Sequence, residues 1–259
     1  MQEKLRRLRQ SDFLKNNAVF FFGTLMIAVF NYLYYPVISR LVSVSDFGEI
    51  QSTISIFMQL GIVLTAFGYV VINIINNTSK KSEEYALISA LERRMLIISL
   101  VLFALLMILS VLFQDSFKFQ SIVPLMLVGL LIIINIPSTS RTYILQGERR
   151  FLDISIAGVI FAAGKLVLTV GFIFILTNDV TASILGYIIA QLANLWYVSG
   201  KVGHEYPLHA IAKRSLVDGR RLSREMLYGF VVFMALSGLS LLYITDTIVA
   251  RLFFDPETL

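Results

Sequence analysis

The sequence predicts an all-α polytopic membrane protein of about seven transmembrane helices with a cytoplasmic N-terminus, and three observations carry that prediction. The chain of 259 residues is 57% hydrophobic and only 15% charged, with a mean hydropathy of +0.78. A soluble domain carries roughly 25% charge. The apolar residues also fall in runs of about 20, long enough to cross a hydrocarbon core of about 30 Å. Finally, lysine and arginine are distributed very unequally between alternate loops.

Seven apolar segments are predicted as spans: Ala18–Ser39, Ile50–Ile75, Met95–Phe113, Ile122–Tyr143, Ile154–Leu176, Ala182–Ser199 and Leu227–Phe253. The basic start "MQEKLRRLRQ" resembles the first region of a signal peptide, but the apolar stretch behind it is too long and lacks a small-residue cleavage site. It is read as a retained first span. With the N-terminus inside, the cytoplasmic side holds 18 Lys and Arg, in the tail, the second loop, the fourth loop and the sixth loop. The outer side holds three, Arg40, Lys118 and Arg251, and Lys165 lies in mid-span. Cations retained inside fix the orientation. They also account for the net charge of +5 and the pI near 9.4 without any nucleic-acid partner.

The loops follow from the same reading. The outer connections "RLVSVSDFGE", "QDSFKFQS" and "NDVT" are too short to form a catalytic domain. In "SEEYALISALERR", Ser82 is the predicted N-cap, with Glu83 and Glu84 in the first turn of a helix that carries the third span into the cytoplasm. The segment beginning at Pro207, "PLHAIAKRSLVDGRRLSRE", reads either as a basic amphipathic helix on the anionic inner leaflet or as a solvated connector. His204 and His209 read as surface residues there. The chain has no cysteine, no metal-ligand cluster, no phosphate-cradling glycine loop and no hydrolase motif, so no cofactor or metal is expected.

An internal echo follows. "YYPVISRLVSVSDFGEI" and "TDTIVARLFFDPETL" align with a shift of 211 residues, Arg40-Leu41 on Arg251-Leu252 and Asp46 on Glu257. Parallel repeats of this kind are a transporter design. The predicted organisation is a six-span N-terminal lobe (1–201), a basic cytoplasmic linker (202–225) and the first span of a truncated second lobe (226–259).

"PVISRLVSVSDFGEI", "YILQGERRFLDISIAG" and "TDTIVARLFFDPETL", in that order along the chain, resemble the polysaccharide flippases of the multidrug/oligosaccharidyl-lipid/polysaccharide (MOP) superfamily. The resemblance implies two similar lobes around a central cavity, with about half the helices present here. It also implies a non-enzymatic transporter of the bacterial inner membrane that moves undecaprenyl-pyrophosphate-linked oligosaccharide outward by alternating access. The implied partners are that lipid-linked oligosaccharide, membrane lipids, and the missing C-terminal lobe or another membrane subunit. The alternatives are a drug or cation antiporter of the same superfamily, an integral-membrane glycan polymerase or glycosyltransferase, and a half-length scaffold.

Polar residues within the spans are the candidate site. Lys165 in "AAGKLVLTV" lies about 11 residues from the inner end of its span, roughly 16 Å at 1.5 Å per residue. Placing it in lipid costs about 2.5–3.5 kcal/mol, so it is expected to face protein or a cavity. Gly158, Ala162, Lys165 and Thr169 share one helical face. Lys165 is either a cation for the cargo's pyrophosphate or a structural lysine bonded to carbonyls or a carboxylate. Arg40, Asn31, Asn135, Thr169 and Arg141 are the other cavity candidates, Arg141 following Pro137, where a kink is expected. Asp246 and Arg251 are ion-pair or gating candidates, with Arg40 the better partner for Asp246. Gln59, Asn73, Gln191 and Asn194 join Asn31 and Asn135 as amides that either bond helices together or line a sugar-sized cavity. The overall expectation is a bundle around a wet, positively charged hollow into which the Lys165 ammonium projects.

Overall fold

The computed structural model describes residues 2–112, 123–176, 178–203 and 219–253. They form seven helices: α1 (Gln2–Ile38), α2 (Val44–Asn77), α3 (Lys81–Leu112), α4 (Val123–Gly147), α5 (Phe151–Ile175), α6 (Asp179–Val202) and α7 (Gly219–Phe253). No strand occurs among the described residues. Six of the seven are long and apolar enough to cross a membrane: the helices from Asn17 to Ile38, α2, α4, α5, α6 and the part of α7 up to Ser240. The predicted third span starts midway along α3. There Ile97, Ile98, Leu100, Val101, Leu105 and Ile108 are all exposed, as side chains against lipid would be. The chain is an all-α multi-pass membrane protein.

Local chemistry sets the helix ends. Ser43 caps α2: its Oγ accepts from the Asp46 amide at 3.1 Å and donates to the Asp46 carboxylate, which reads "SVSD" as a cap-and-first-turn signal. Asn178 caps α6 in the same way, accepting from the Thr181 amide at 2.8 Å. The α3 cap shifts by two residues from the sequence expectation, to Lys80. Ser82 lies inside the first turn, and the amides of Glu83 and Glu84 bond the Lys80 carbonyl at 3.0 Å. In the "QGERRF" turn a Cβ on Gly147 would stand 2.9 Å from Ile75, and Arg149 takes the left-handed conformation at φ 61°. The motif there is a tight α4–α5 connection pressed against α2. The segment around Pro207, with both histidines, lies outside the described residues.

The close approaches between helices reproduce the alternating directions that the charge bias demands. On α1 and α5, Gly23 meets Ser155, Ile27 meets Gly158, and Tyr34 lies across from Lys165, so two outward-going helices run parallel. Between α4 and α6 the bonded pairs Asn135–Gln191 and Ser138–Asn194 keep one offset of 56 residues, so two inward-going helices run parallel. Between α5 and α6 the pairs Gly164–Ala190 and Thr169–Gly186 run in opposite senses, as an up helix and a down helix must. Helix α7 packs on α2 antiparallel, through Gly229 against Val70 and Glu225 against Asn73.

Two apolar cores result. One, toward the predicted cytoplasmic end, gathers Val71, Ile74, Leu87, Ile136, Ile144, Leu145, Val198 and Leu222. The other, toward the outer end, gathers Tyr34, Ile38, Ile50, Val128, Leu131, Ile184 and Tyr187. Small residues bring the backbones close enough for both, because helices in lipid gain little from apolar burial and depend on packing.

The closest approach to backbone among these yields a prediction. A Cβ on Gly186 would run into the Thr169 hydroxyl and stand 2.7 Å from the Thr169 amide nitrogen and 2.8 Å from its Cα, so it clashes with backbone as well as with the side chain. Gly186→Ala is expected to destabilise the protein by about 1–3 kcal/mol, the usual cost of overpacking. Gly171→Ala on the partner helix, where nothing lies within 4 Å, is expected to leave stability unchanged. Thermal unfolding of the two variants in the same detergent checks this, and equal midpoints would contradict it.

Candidate functional site

Three helices meet around Lys165. Its predicted face is buried: Ala162, Lys165 and Thr169 all turn inward from α5, while Val167 and Phe174 point outward. The lysine is 7% exposed, so the expectation that it faces protein rather than lipid is met. The Nζ lies 5.1 Å from the ring centre of Tyr34 on α1, 5.8 Å from Phe161 one turn back on α5, and 5.0 Å from Tyr187 on α6. It donates one hydrogen bond, to Tyr187 Oη at 3.4 Å. No carboxylate among the described residues pairs with it. Its surroundings are thus the negative faces of three aromatic rings, each an electrostatic partner for an ammonium within about 6 Å.

The rings hold one another. Tyr34 and Tyr187 meet edge to face at 5.5 Å and 88°, and Phe161 meets Tyr187 at 6.1 Å and 80°. Both tyrosines are buried, Tyr34 completely. One turn beyond Lys165, Thr169 donates to the Ser183 carbonyl at 3.3 Å, fixing α5 against α6 where Gly186 leaves room.

The other candidates lie apart from this cage. Asn135 accepts from Gln191 at 2.8 Å, and Asn194 donates to Ser138 at 3.0 Å, so these amides join α4 to α6. Asn31 is half-buried on α1, and Gln59 is exposed. Arg141 is only 2% exposed; its Nη1 donates to Glu92 on α3 at 2.6 Å and to the Pro137 carbonyl at 3.0 Å. Proline leaves the Ile133 carbonyl of α4 without its helical amide donor, and the arginine makes a separate bond to the carbonyl of the proline itself. Arg40 is exposed just beyond α1, with no carboxylate partner among the described residues. Asp246 and Arg251 fall within α7, and their side chains lie outside the described residues. No hydrogen bond or ion pair joins Arg40, Asn31, Asn135 or Arg141 to Lys165.

The charges assigned to the cytoplasm converge on a second region. Asp153 binds Arg150 at 2.7 Å and Lys201 at 3.4 Å, joining the α4–α5 turn to the end of α6. Lys81 binds Glu84 at 3.3 Å and Glu148 at 3.2 Å. Partial burial pulls the Lys81 pKa down, but Glu148 and Glu84 outweigh it and hold the ammonium above its usual range. Arg221, at the start of α7, pairs with Glu83 and donates to the Asn77 carbonyl and Thr78 Oγ1 at the end of α2. Beside it Asn73 donates to buried Glu225 at 2.8 Å. The topology cations thus also tie helix ends together.

With this geometry in view, the comparisons decide the family. The family model described as "Polysaccharide biosynthesis protein" matches residues 13–259. The chain belongs to the polysaccharide biosynthesis protein family. A solved structure described as the outward-facing conformation of a multidrug resistance MATE family transporter of the MOP superfamily is similar in fold, with a TM-score of 0.61 at 16% identity. The alignment covers 88% of this chain and 53% of that one, so this family member spans about half the length of the solved transporter. No curated protein sequence matches the chain.

Sequence reading missed Tyr34, Phe161 and Tyr187 as partners of Lys165, and Glu92 as the partner of Arg141. Phe161 alone carried a local signal, one helical turn before the lysine. The Glu92–Arg141 pair predicts its own test. Arg141→Met strands a largely buried carboxylate and is expected to cost about 3–5 kcal/mol. Arg141→Met with Glu92→Met removes both charges and is expected to recover most of that loss. Unfolding midpoints of the two variants, and of Glu92→Met alone, close the cycle; a double variant no more stable than Arg141→Met would contradict the pairing.

Proposed function

We propose that the chain forms the N-terminal portion of a flippase that moves lipid-linked, pyrophosphate-bearing oligosaccharides from the inner to the outer leaflet of the bacterial inner membrane. The family match and the MOP-type fold support a transporter. The observation that carries the cargo's charge is Lys165, an ammonium held at mid-span depth with no carboxylate partner among the described residues. An uncompensated cation at that depth favours an anionic group passing nearby, and its attraction is strong in a low dielectric.

In this reading residues 1–201 act as one lobe, 202–225 as the linker, and α7 as the first helix of a second lobe. Rocking of the two lobes exposes the site to each leaflet in turn, as parallel-repeat transporters do. The cargo favours whichever exposure state binds it better, and that differential affinity drives the population shift. Short outer connections and the lack of a described carboxylate pair near Lys165 leave acid–base chemistry without a setting, which favours transport over glycan polymerisation.

The test is export. In the protein that carries this chain, Lys165→Ala is expected to reduce delivery of lipid-linked glycan to the outer leaflet by about tenfold or more, the effect of losing about 1.4 kcal/mol of differential binding. Insertion and abundance should be preserved, and Lys165→Arg should retain partial export. Undiminished export by Lys165→Ala would remove this residue from the cargo site. Transport of a cationic dye by the unaltered protein would instead favour the antiporter reading.

A further inference from the structure

The same three rings suggest a binding property separate from export. Aromatic faces converging on one point are the general architecture for recognising organic ammonium ions. Here the point is filled by the protein's own lysine. The rings come from three helices, Tyr34 on α1, Phe161 on α5 and Tyr187 on α6, and are locked edge to face. The cage is therefore set by helix packing as well as by its occupant.

We propose that Tyr34, Phe161 and Tyr187 form an ammonium-binding cage whose resident ligand is the Lys165 side chain, and that this tethered occupant excludes small organic cations from the site. A lysine fixed to α5 is present at a very high effective concentration, so a free amine cannot compete with it. Its charge also repels any cation that approaches. Removing the side chain beyond Cβ vacates a space bounded by three ring faces and the Tyr187 hydroxyl, 3.4 Å from where the ammonium stood. That space suits a primary or quaternary ammonium of a few heavy atoms. An equally sized neutral molecule gains the same apolar contact but no cation–π attraction. The charge specificity of this region is then decided by one side chain: with the lysine present it accepts no cation, and without it the same cage takes one.

The experiment uses the purified full chain in detergent, as wild type, Lys165→Ala, Lys165→Met and Lys165→Ala combined with Tyr187→Leu. Methylammonium and tetramethylammonium are the probes, and tert-butanol is the neutral control, each followed by calorimetric titration and by the unfolding midpoint. Lys165→Ala is expected to bind at least one ammonium about tenfold or more tightly than tert-butanol, the ratio that a desolvated cation–π contact supplies. Its midpoint should rise by several degrees with that ammonium. Wild type and Lys165→Met should show neither effect, and Tyr187→Leu should abolish binding in the alanine background. Where Lys165→Ala does not fold in plain buffer, purification with methylammonium replaces the titration. Folded protein recovered with the ammonium but not with tert-butanol supports the cage. Equal recovery with both, recovery with neither, or equal affinity for ammonium and alcohol overturns it. None of these readouts measures export, so the cage stands or falls independently of the flippase reading.

Discussion

The structure depends on one constraint: an ammonium placed halfway along a membrane helix must be kept out of lipid. Exposure to hydrocarbon costs about 2.5–3.5 kcal/mol even on insertion scales that allow snorkelling and bilayer thinning. From the depth of Lys165 neither surface is readily reached. The protein answers by surrounding the nitrogen with α1, α5 and α6, and the packing of those helices follows from that need. Gly23 and Gly158 let α1 lie close along α5, bringing Tyr34 over the nitrogen. Gly186 lets α6 come close to Thr169, bringing Tyr187 to the other side. Ring faces hold the charge without neutralising it, whereas a carboxylate would have formed a closed pair.

The remaining polar groups divide by depth. Near the predicted cytoplasmic ends, carboxylates bind the basic residues on which the predicted orientation rests, so the same charges also fasten helix ends. Deeper, the amides of Asn135, Gln191 and Asn194 satisfy one another and Ser138 across α4 and α6 at a constant offset. Arg141 lies between these zones, buried but paired with Glu92. Lys165 is the intramembrane cation that the described structure leaves without an acidic partner, and that contrast separates it from Arg141.

Much of this was legible in the sequence, for reasons that differ by residue. The helices and their directions followed from run length and the Lys and Arg bias, both properties of single segments. The burial of Lys165 followed from the small and polar face it shares with Ala162 and Thr169. The cage did not, because Tyr34, Phe161 and Tyr187 stand in three separate spans where an aromatic residue reads equally as lipid-facing or core. The wet hollow expected around the ammonium rested on the mid-span charge, the polar face of α5, the amides and the family resemblance; ring faces surround the nitrogen. Arg141 shows the same limit, since Glu92 read as part of a helical extension and only the antiparallel meeting of α3 with α4 reveals the pair. The pairing of amides was legible as a class of interaction, but the partners depended on a register that no single span contains.

The enclosure of the Lys165 nitrogen by aromatic faces is the claim on which the account turns, and proton NMR of selectively lysine-labelled protein in nanodiscs tests it most directly. Ring currents shield protons held over aromatic faces. The account predicts one lysine Hε resonance moved clearly upfield of the others and lost in Lys165→Arg. A spectrum in which every lysine Hε signal stays at the position of a solvated side chain would contradict it.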